Sequence, residues 1–127
     1  MIDLRRGDVV LVAFPFLREG DVHRKRRPAV VIQADRYNRR RGALILAAIT
    51  SSTKSAGLPS KVVVGMESAE GRRAGLRTDS VVDGQTLITI PRTEVLARLG
   101  SFPAETMARI DRALADSLGL PPPAVRR

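Results

Sequence analysis

The sequence predicts a mainly β fold, in which a small curled antiparallel sheet or barrel has one C-terminal helix packed on it. Short apolar runs rich in β-branched residues recur at close spacing between residues 8 and 90, which indicates strands. After Pro103 the apolar residues change to helical spacing. The length of 127 residues fits a single domain, which we expect over residues 1–120, followed by a proline-rich disordered tail over residues 121–127.

Three strands are predicted in the first half of the chain. Residues 8–14 are rich in β-branched and apolar residues and end before a proline, and residues 28–33 begin with a proline, where a strand tolerates one. Residues 43–49 form the third strand by length and flanks, although their Ala and Leu content would also suit a short helix. Between these strands we expect a polar loop over residues 17–25 and a charged connection with one helical turn over residues 35–42.

Three more strands are predicted in the second half. Residues 61–64 form a short strand, and residues 67–77 a loop or single helical turn. Residues 80–82 and 86–90 are two more predicted strands, and they flank Asp83-Gly84. Because Asp-Gly is typical of tight hairpin turns, we expect these two segments to pair with each other.

The C-terminal segment predicts an amphipathic helix. Ser101 is the expected N-cap, Pro103 suits the first turn, and Gly119 suits the C-terminal cap. One apolar stripe runs along this helix and would face the sheet. The stripe consists of Met107, Ile110, Leu114 and Leu118.

Positive charge is the strongest functional feature of the sequence. There are 22 Lys and Arg residues against 13 Asp and Glu, which gives a net charge of +9 and makes polyanions the expected partners. The alternative explanation of the positive charge is an arginine-rich composition inherited from genomic base usage. The excess of basic residues is concentrated, however, in residues 24–27 (Arg-Lys-Arg-Arg) and 39–41 (three Arg). Since these groups flank one short strand, we expect them to lie near each other.

Several classes of protein are excluded or disfavoured. The absence of Cys excludes disulfides, thiolate zinc sites and Cys nucleophiles, and a single His excludes multi-histidine metal sites. No apolar run approaches the roughly 18 residues of a membrane span. The first apolar run is a poor export signal because Asp8 and Pro15 interrupt it and a charged segment follows. We therefore expect a cytoplasmic protein that needs no metal or cofactor.

A series of short motifs covers residues 5–118. The first strand opens with Arg-Gly-Asp-Val, the second follows Arg-Pro, and the third ends in Ile-Thr-Ser. An Asn, a Leu-Pro-Ser segment and a Thr-Asp-Ser-Val-Val segment come at fixed points between and after them. The residues concerned are 6–9, 27–32, Asn38, 49–51, 58–60 and 78–82, with Gln85, Thr86 and Ile88. In this order and spacing the chain resembles the MazF/PemK family of toxins from type II toxin–antitoxin systems.

The resemblance implies a fold, an activity and partners. The fold would be an SH3-like β-barrel, and the protein a homodimer. The activity would be metal-independent cleavage of single-stranded RNA at short sequences, leaving 2′,3′-cyclic phosphate and 5′-hydroxyl ends. A cognate antitoxin would block the RNA groove, and the charge of this chain predicts that the antitoxin offers an acidic segment with apolar anchors.

The resemblance assigns catalysis to Arg27 and Thr50. A guanidinium can hold phosphate oxygens in two-point contact, and a hydroxyl can donate to a third oxygen. A general base must also take the proton of the attacking 2′-hydroxyl. The family often places a Glu there, but Val22 occupies the matching position. His23 or Asp21 is the candidate base, because the cations that follow His23 disfavour its protonated form.

Further residues are candidates for RNA binding. The basic residues before Arg27 would attract phosphates without regard to sequence. Tyr37 could stack on a base, and the amides of Gln33 and Asn38 could read base edges, although either amide could equally cap a turn. The full expected set is Arg24, Lys25, Arg26, Gln33, Tyr37, Asn38, Ser51 and Ser52.

Two other functions stay open at this point. A related toxin family shares the expected fold and binds DNA gyrase without catalysis, and a basic barrel could bind nucleic acid without cutting it. The missing loop Glu favours these alternatives. The presence of both Arg27 and Thr50 favours cleavage.

Overall fold

Six antiparallel strands pair into one sheet in the part of the chain that the structure, a computed structural model, describes: residues 3–18, 21–40 and 42–124. The side chains of residues 14–18 and 21–24 lie outside this description. The strands are β1 (Asp8–Arg18), β2 (Asp21–Val31), β3 (Ala43–Thr50), β4 (Lys61–Val64), β5 (Ser80–Pro91) and β6 (Val95–Ser101). Their order across the sheet is β4-β5-β3-β2-β1-β6. The helices are α1 (Asp35–Asn38), α2 (Ala69–Arg73), α3 (Ala104–Leu118) and a 3-10 helix (Arg92–Glu94).

The connection from β5 to β6 shows that the sheet curls. Only the 3-10 helix separates these two strands in sequence. Nevertheless β6 pairs with β1, from Asp8 with Ser101 to Val12 with Val95, while β5 pairs with β3 and β4. The two ends of the strand order must therefore approach each other, as in a barrel. The predicted fold, a curled antiparallel sheet with one C-terminal helix, is confirmed.

Apolar side chains form two buried clusters, one on each face of the sheet. Neighbouring strand residues point to opposite faces, so Val9 and Val30 belong to one cluster while Val10 and Val31 belong to the other. The first cluster includes Met107, Ile110 and Ala113 of α3. Leu44 and Leu46 of the second cluster are fully buried. Burial of each side chain stabilises the folded state by about 1.5–3 kcal/mol relative to leaving it exposed.

The apolar stripe of α3 packs on the sheet as predicted, but it is shorter. Ile110 is 1% exposed and Leu114 packs against the first cluster, whereas Leu118 is 57% exposed. Gly119 ends the helix in the left-handed conformation at φ 68°, which confirms it as the C-terminal cap.

Strand β6 was not predicted, and its presence corrects the start of α3. Leu96 and Leu99 are both exposed, so the segment lacks the regular alternation that marks a half-buried strand. Ser101 pairs with Asp8 at the end of β6 and is not the helix N-cap. That position is held by Pro103, which offers no side-chain hydrogen bond.

The polar loop predicted over residues 17–25 is wrong. Strand β1 continues to Arg18 and β2 begins at Asp21, and these two residues pair with each other. Ladder hydrogen bonds form between any non-proline residues, so the polar composition of this segment does not prevent strand pairing. The single turns predicted within residues 35–42 and 67–77 are confirmed as α1 and α2.

The hairpin predicted at Asp83-Gly84 is also wrong. Both flanking segments belong to one strand, β5, and both pair with β3. The register shifts at this point, because Ala47 pairs with Leu87 whereas Ala48 pairs with Asp83, so residues 84–86 form a bulge. Gly84 is required there, since a Cβ would lie 2.7 Å from the carbonyl oxygen of Ser60.

The first basic group lies within β2 and the second begins after α1, beyond the end of that strand, which corrects the expectation that they are neighbours. Arg27 lies within β2, and Arg39 follows α1 beyond the other end of the strand. From Arg27 to Val31 the strand alone spans about 13 Å at roughly 3.3 Å per residue. Residue 41, the last of the second group, lies outside the described residues.

Candidate active site

The ladder between β2 and β3 ends beside Pro28. Paired residues run from Val31 with Leu46 to Ala29 with Ala48, and the pairing stops there. Proline has no N–H to donate, so it cannot extend a ladder on that side. The β2–β3 ladder therefore ends just before the position where Arg27 and Thr50 lie.

An open cavity of about 270 Å³ occupies this end of the sheet. Ala48 lines it, whereas Leu44 and Leu46 on the same strand are fully buried in the core. A small side chain at Ala48 leaves the space that a leucine would fill. The cavity is lined by Arg27, Ala48, Ile49, Thr50, Ser52, Lys54, Lys61, Val81, Asp83 and Thr86.

Arg27 and Thr50, the two predicted catalytic residues, both line this cavity. Arg27 is half-buried and is held on β2 by pairing with Val12 of β1. Continuing the β2–β3 register for two residues past Ala29 and Ala48 places Arg27 opposite Thr50. The sheet thus fixes a cation and a hydroxyl on adjacent strands at one opening.

The Thr50 hydroxyl has a local partner and a free proton. Its Oγ1 accepts a hydrogen bond from the backbone N–H of Ser52 at 3.1 Å. This bond uses a lone pair of the oxygen, so the hydroxyl proton can still be donated into the cavity. The Ser52 bond also sets the direction of the hydroxyl.

A partly buried ion pair lines the same cavity and was missed by the sequence analysis. Lys61 of β4 and Asp83 of β5 are paired across the strands, and their ammonium and carboxylate are hydrogen-bonded. Their side chains are only 11% and 17% exposed. The sequence contained one indication, a single lysine in front of three valines in a predicted strand, but Asp83 was assigned to a turn.

Asp83 is held by three donors. Besides Lys61, its carboxylate accepts from the backbone N–H of Gln85 at 2.8 Å and from the Thr86 hydroxyl at 2.7 Å. Burial acts to raise the pKa of Asp83, but the hydrogen bonds from Lys61, Thr86 and Gln85 and the Lys61 charge outweigh it and lower that pKa. The carboxylate is therefore ionised at neutral pH.

The remaining predicted residues near Arg27 are placed differently. Ser52 lines the cavity, whereas Ser51 is exposed outside it. Lys25 and Arg26 are exposed on β2 beside Arg27. The side chains of three further candidates, Asp21, His23 and Arg24, lie outside the described part of the chain.

Gln33, Tyr37 and Asn38 lie at the other end of β2, away from the cavity. Asn38 is 3% exposed, and its amide donates to the Gln33 carbonyl and to the Asp35 carboxylate at 2.9 and 3.0 Å. Gln33 donates to the Asn38 side chain and to the Ala43 carbonyl. These amides hold α1 in place, so we do not include them in the site. Tyr37 is exposed, with the Arg36 guanidinium 4.9 Å from its ring centroid.

The described residues contain no group of three or more His, Cys, Asp or Glu side chains placed to hold a metal ion. None of the helices in that part of the chain combines the length and the apolar character needed to cross a bilayer.

Comparison with known families identifies the chain. The model of the PemK-like, MazF-like toxins of type II toxin–antitoxin systems matches residues 5–118. The chain belongs to this family. The match includes Arg27, Thr50 and every cavity-lining residue.

Related proteins of the MazF type agree with this assignment. The chain is 39% identical over 97 residues to endoribonuclease MazF6 of Mycobacterium tuberculosis and to endoribonuclease MazF2 of Mycobacterium bovis, which covers 76% of this chain and 81% of each relative. A mycobacterial endoribonuclease solved in complex with its cognate antitoxin has the same fold, with a TM-score of 0.73 and 24% identity over 94% of this chain and 99% of that one.

These findings confirm the resemblance inferred from the MazF/PemK motifs. They support a toxin with endoribonuclease activity, since the curated relatives are endoribonucleases at 39% identity over most of the chain. The gyrase-binding alternative is not favoured.

Proposed function

We propose that this MazF/PemK-family toxin cleaves single-stranded RNA at a short sequence without a metal ion, and that Arg27 and Thr50 act together on the scissile phosphate. The observation that supports this most directly is that both side chains line one open cavity at the end of β3. Two exposed cations, Lys25 and Arg26, precede Arg27 on β2 and would attract the RNA backbone.

The reaction needs no group from outside the RNA to form the new bond. The 2′-hydroxyl oxygen attacks the adjacent phosphorus in line, and the bond from phosphorus to the 5′-oxygen breaks. Arg27 donates to the non-bridging oxygens, where negative charge increases in the transition state, and Thr50 donates a further hydrogen bond. The products are a 2′,3′-cyclic phosphate and a 5′-hydroxyl.

A base must accept the 2′-hydroxyl proton, and the 5′-oxygen must receive one. Asp21 and His23 remain our candidates for these transfers, because they lie on β2 a few residues before Arg27. In this proposal one of them accepts the proton of the attacking hydroxyl.

The proposal includes two protein partners. A structural neighbour was solved with its cognate antitoxin, and a net charge of +9 suits an acidic antitoxin segment that covers the RNA site. We also propose that the toxin acts as a homodimer in the cytoplasm, where it meets its RNA substrate.

The proposed function is tested by incubating purified protein with a long single-stranded RNA in EDTA and mapping the ends of the products. We expect cuts at one short recurring sequence with 5′-hydroxyl ends, and no cuts with Arg27→Ala. Arg72→Ala is the matched control, because it removes an exposed arginine on α2, outside β2 and the cavity. Intact RNA after incubation with folded protein, or cleavage that depends on a divalent ion, would refute the proposal.

A further inference from the structure

We propose that the Lys61–Asp83 pair reads a nucleobase next to the cut, and so determines part of the RNA sequence that this toxin cleaves. This inference rests on the proposed function. It concerns two residues that line the same cavity as Arg27 and Thr50 but belong to β4 and β5.

The sheet register places the pair beside the cleavage residues and not among them. Ala48 pairs with Asp83, and Asp83 pairs with Lys61, so these three lie in one row across the sheet. Thr50 is two residues further along β3 on the same face. With strands about 4.8 Å apart and a rise of about 3.4 Å per residue, the backbones of Thr50 and Asp83 are about 8 Å apart. A nucleotide whose phosphate contacts Thr50 would therefore have a neighbouring unit over the pair.

Charge favours a base over a phosphate at this position. The Lys61 ammonium is already neutralised by Asp83, and any anion that approached it would also meet the carboxylate. A base edge is uncharged and carries both acceptors and donors, so it can satisfy both members of the pair. The low exposure of both side chains strengthens such hydrogen bonds, because little water competes for them.

The pair has hydrogen-bonding capacity left for a base. A carboxylate offers about four lone-pair sites, of which the described structure fills three, from Lys61, Gln85 and Thr86. An ammonium has three N–H donors, and Asp83 is the partner that the structure gives to one of them. One acceptor site beside cationic donors fits a base edge that presents an N–H next to an acceptor atom, as the edges of all four bases do. The cut sequence of the wild-type protein identifies which base the pair holds.

The pair is held rigidly enough to discriminate. Asp83 lies at the start of the β5 bulge, and the bulge is fixed by the hydrogen bond from the Gly84 N–H to the Ser60 carbonyl at 2.8 Å. A side chain that is already held in the direction needed for base contact loses little entropy when the RNA binds.

The test compares the cut sequences of the wild-type protein with those of Lys61→Gln and Asp83→Asn. Cut sites are mapped on one long single-stranded RNA, and the base frequencies at each position around the cut are counted. We expect the wild-type protein to prefer one base at a position adjacent to the cut. Each variant should lower that preference by about tenfold, while preferences at other positions stay unchanged.

Controls separate base reading from folding and from catalysis. Arg109→Gln removes an ion pair with Glu70 at 3.3 Å that lies away from the cavity, and should leave the cut sequence unchanged. If one of these variants fails to fold, Lys61→Arg keeps a cation beside Asp83 and leaves the hydrogen bonds from Gln85 and Thr86 in place, so it should fold and change the base preference.

Each outcome decides the question. An unchanged base preference in folded variants overturns the inference and leaves the proposed function intact. Loss of most of the cleavage with no change in the preferred base at the residual cuts would assign the pair to the phosphate, and also overturns the inference. If the wild-type protein cuts no RNA, the proposed function fails first.

Discussion

Asp35 connects the N-terminal segment to the turn that follows β2. Its carboxylate accepts hydrogen bonds from the backbone N–H of Arg6 at 2.7 Å and from the Asn38 amide at 3.0 Å. Burial acts to raise the pKa of Asp35, but these two hydrogen bonds and the charges of Arg39 and Arg5 outweigh it and lower that pKa.

The lowered pKa of Asp35 predicts a pH-dependent contribution to stability. Because the folded-state pKa is below the unfolded value of about 3.9, the ionised carboxylate stabilises the fold above that value, and the contribution is lost as pH falls through the folded-state pKa. Urea unfolding from about pH 7 to about pH 2 should show Asp35→Asn less stable than wild type at neutral pH, with the difference disappearing in acid. The exposed Asp116→Asn serves as control. A difference that persists unchanged in acid would contradict this account of Asp35.

The bulge of β5 is the element on which the cavity depends most. It places Asp83 and Thr86 at the cavity, and Gly84 packs so closely that a Cβ would lie 2.7 Å from the Ser60 carbonyl oxygen and 3.2 Å from that of Ala113. We expect Gly84→Ala to lower the free energy of unfolding by about 1–3 kcal/mol and to reduce cleavage, because the bulge must shift.

Gly57→Ala is the matched control for this prediction. A Cβ at Gly57 would meet no atom within 4 Å, so the variant should unfold and cleave as the wild type does. Urea unfolding and initial cleavage rates would measure both effects. Equal stability of the two alanine variants would show that the bulge does not depend on the close packing of Gly84.

The elements that could be predicted from sequence are those with a strong local pattern. Strand β4 was placed at Lys61–Val64 because its apolar run is bounded on both sides, and α3 was recognised from its stripe and from Gly119. Strand β6 was missed since its leucines are exposed, and β5 was divided because Asp-Gly serves here in a bulge. Whether a dipeptide forms a turn or a bulge depends on β3, which lies far away in sequence.

The residues of the candidate site also fall into those that a local sequence pattern predicts and those that it does not. Arg27 and Thr50 were found through motifs that each lie within a few residues. Lys61 and Asp83 could not be found in this way, because they are 22 residues apart and only the β4–β5 register brings them together. Gln33 and Asn38 were assigned to RNA, but the fold of α1 uses their amides internally.

At the scale of the whole molecule, the net charge of +9 should govern how strongly RNA binds regardless of sequence. Each phosphate contact on single-stranded RNA contributes about 0.7 to the slope of log affinity against log salt. We expect the double variant Lys25→Gln with Arg26→Gln to lower that slope by up to about 1.4, equally for unrelated RNA sequences. Fluorescence anisotropy with RNA blocked by 2′-O-methyl groups would measure it.

The control for the salt experiment removes the same charge elsewhere. Arg72 and Arg73 of α2 are also exposed, and they lie outside β2 and the cavity. Their double change to Gln should lower the slope less than the change at Lys25 and Arg26. Equal losses in the two double variants would mean that total charge, and not its position on β2, attracts the RNA.

The most direct test of the account is a double-mutant cycle on Arg27 and Thr50, measured as single-turnover cleavage rates of one mapped RNA site. Arg27→Ala should slow cleavage by about a hundredfold or more, and Thr50→Val by less. Because we propose that both side chains act on one phosphate in one cavity, the double variant should be hardly slower than Arg27→Ala alone. Rate losses that multiply independently, or an Arg27→Ala variant that cleaves at the wild-type rate, would contradict it.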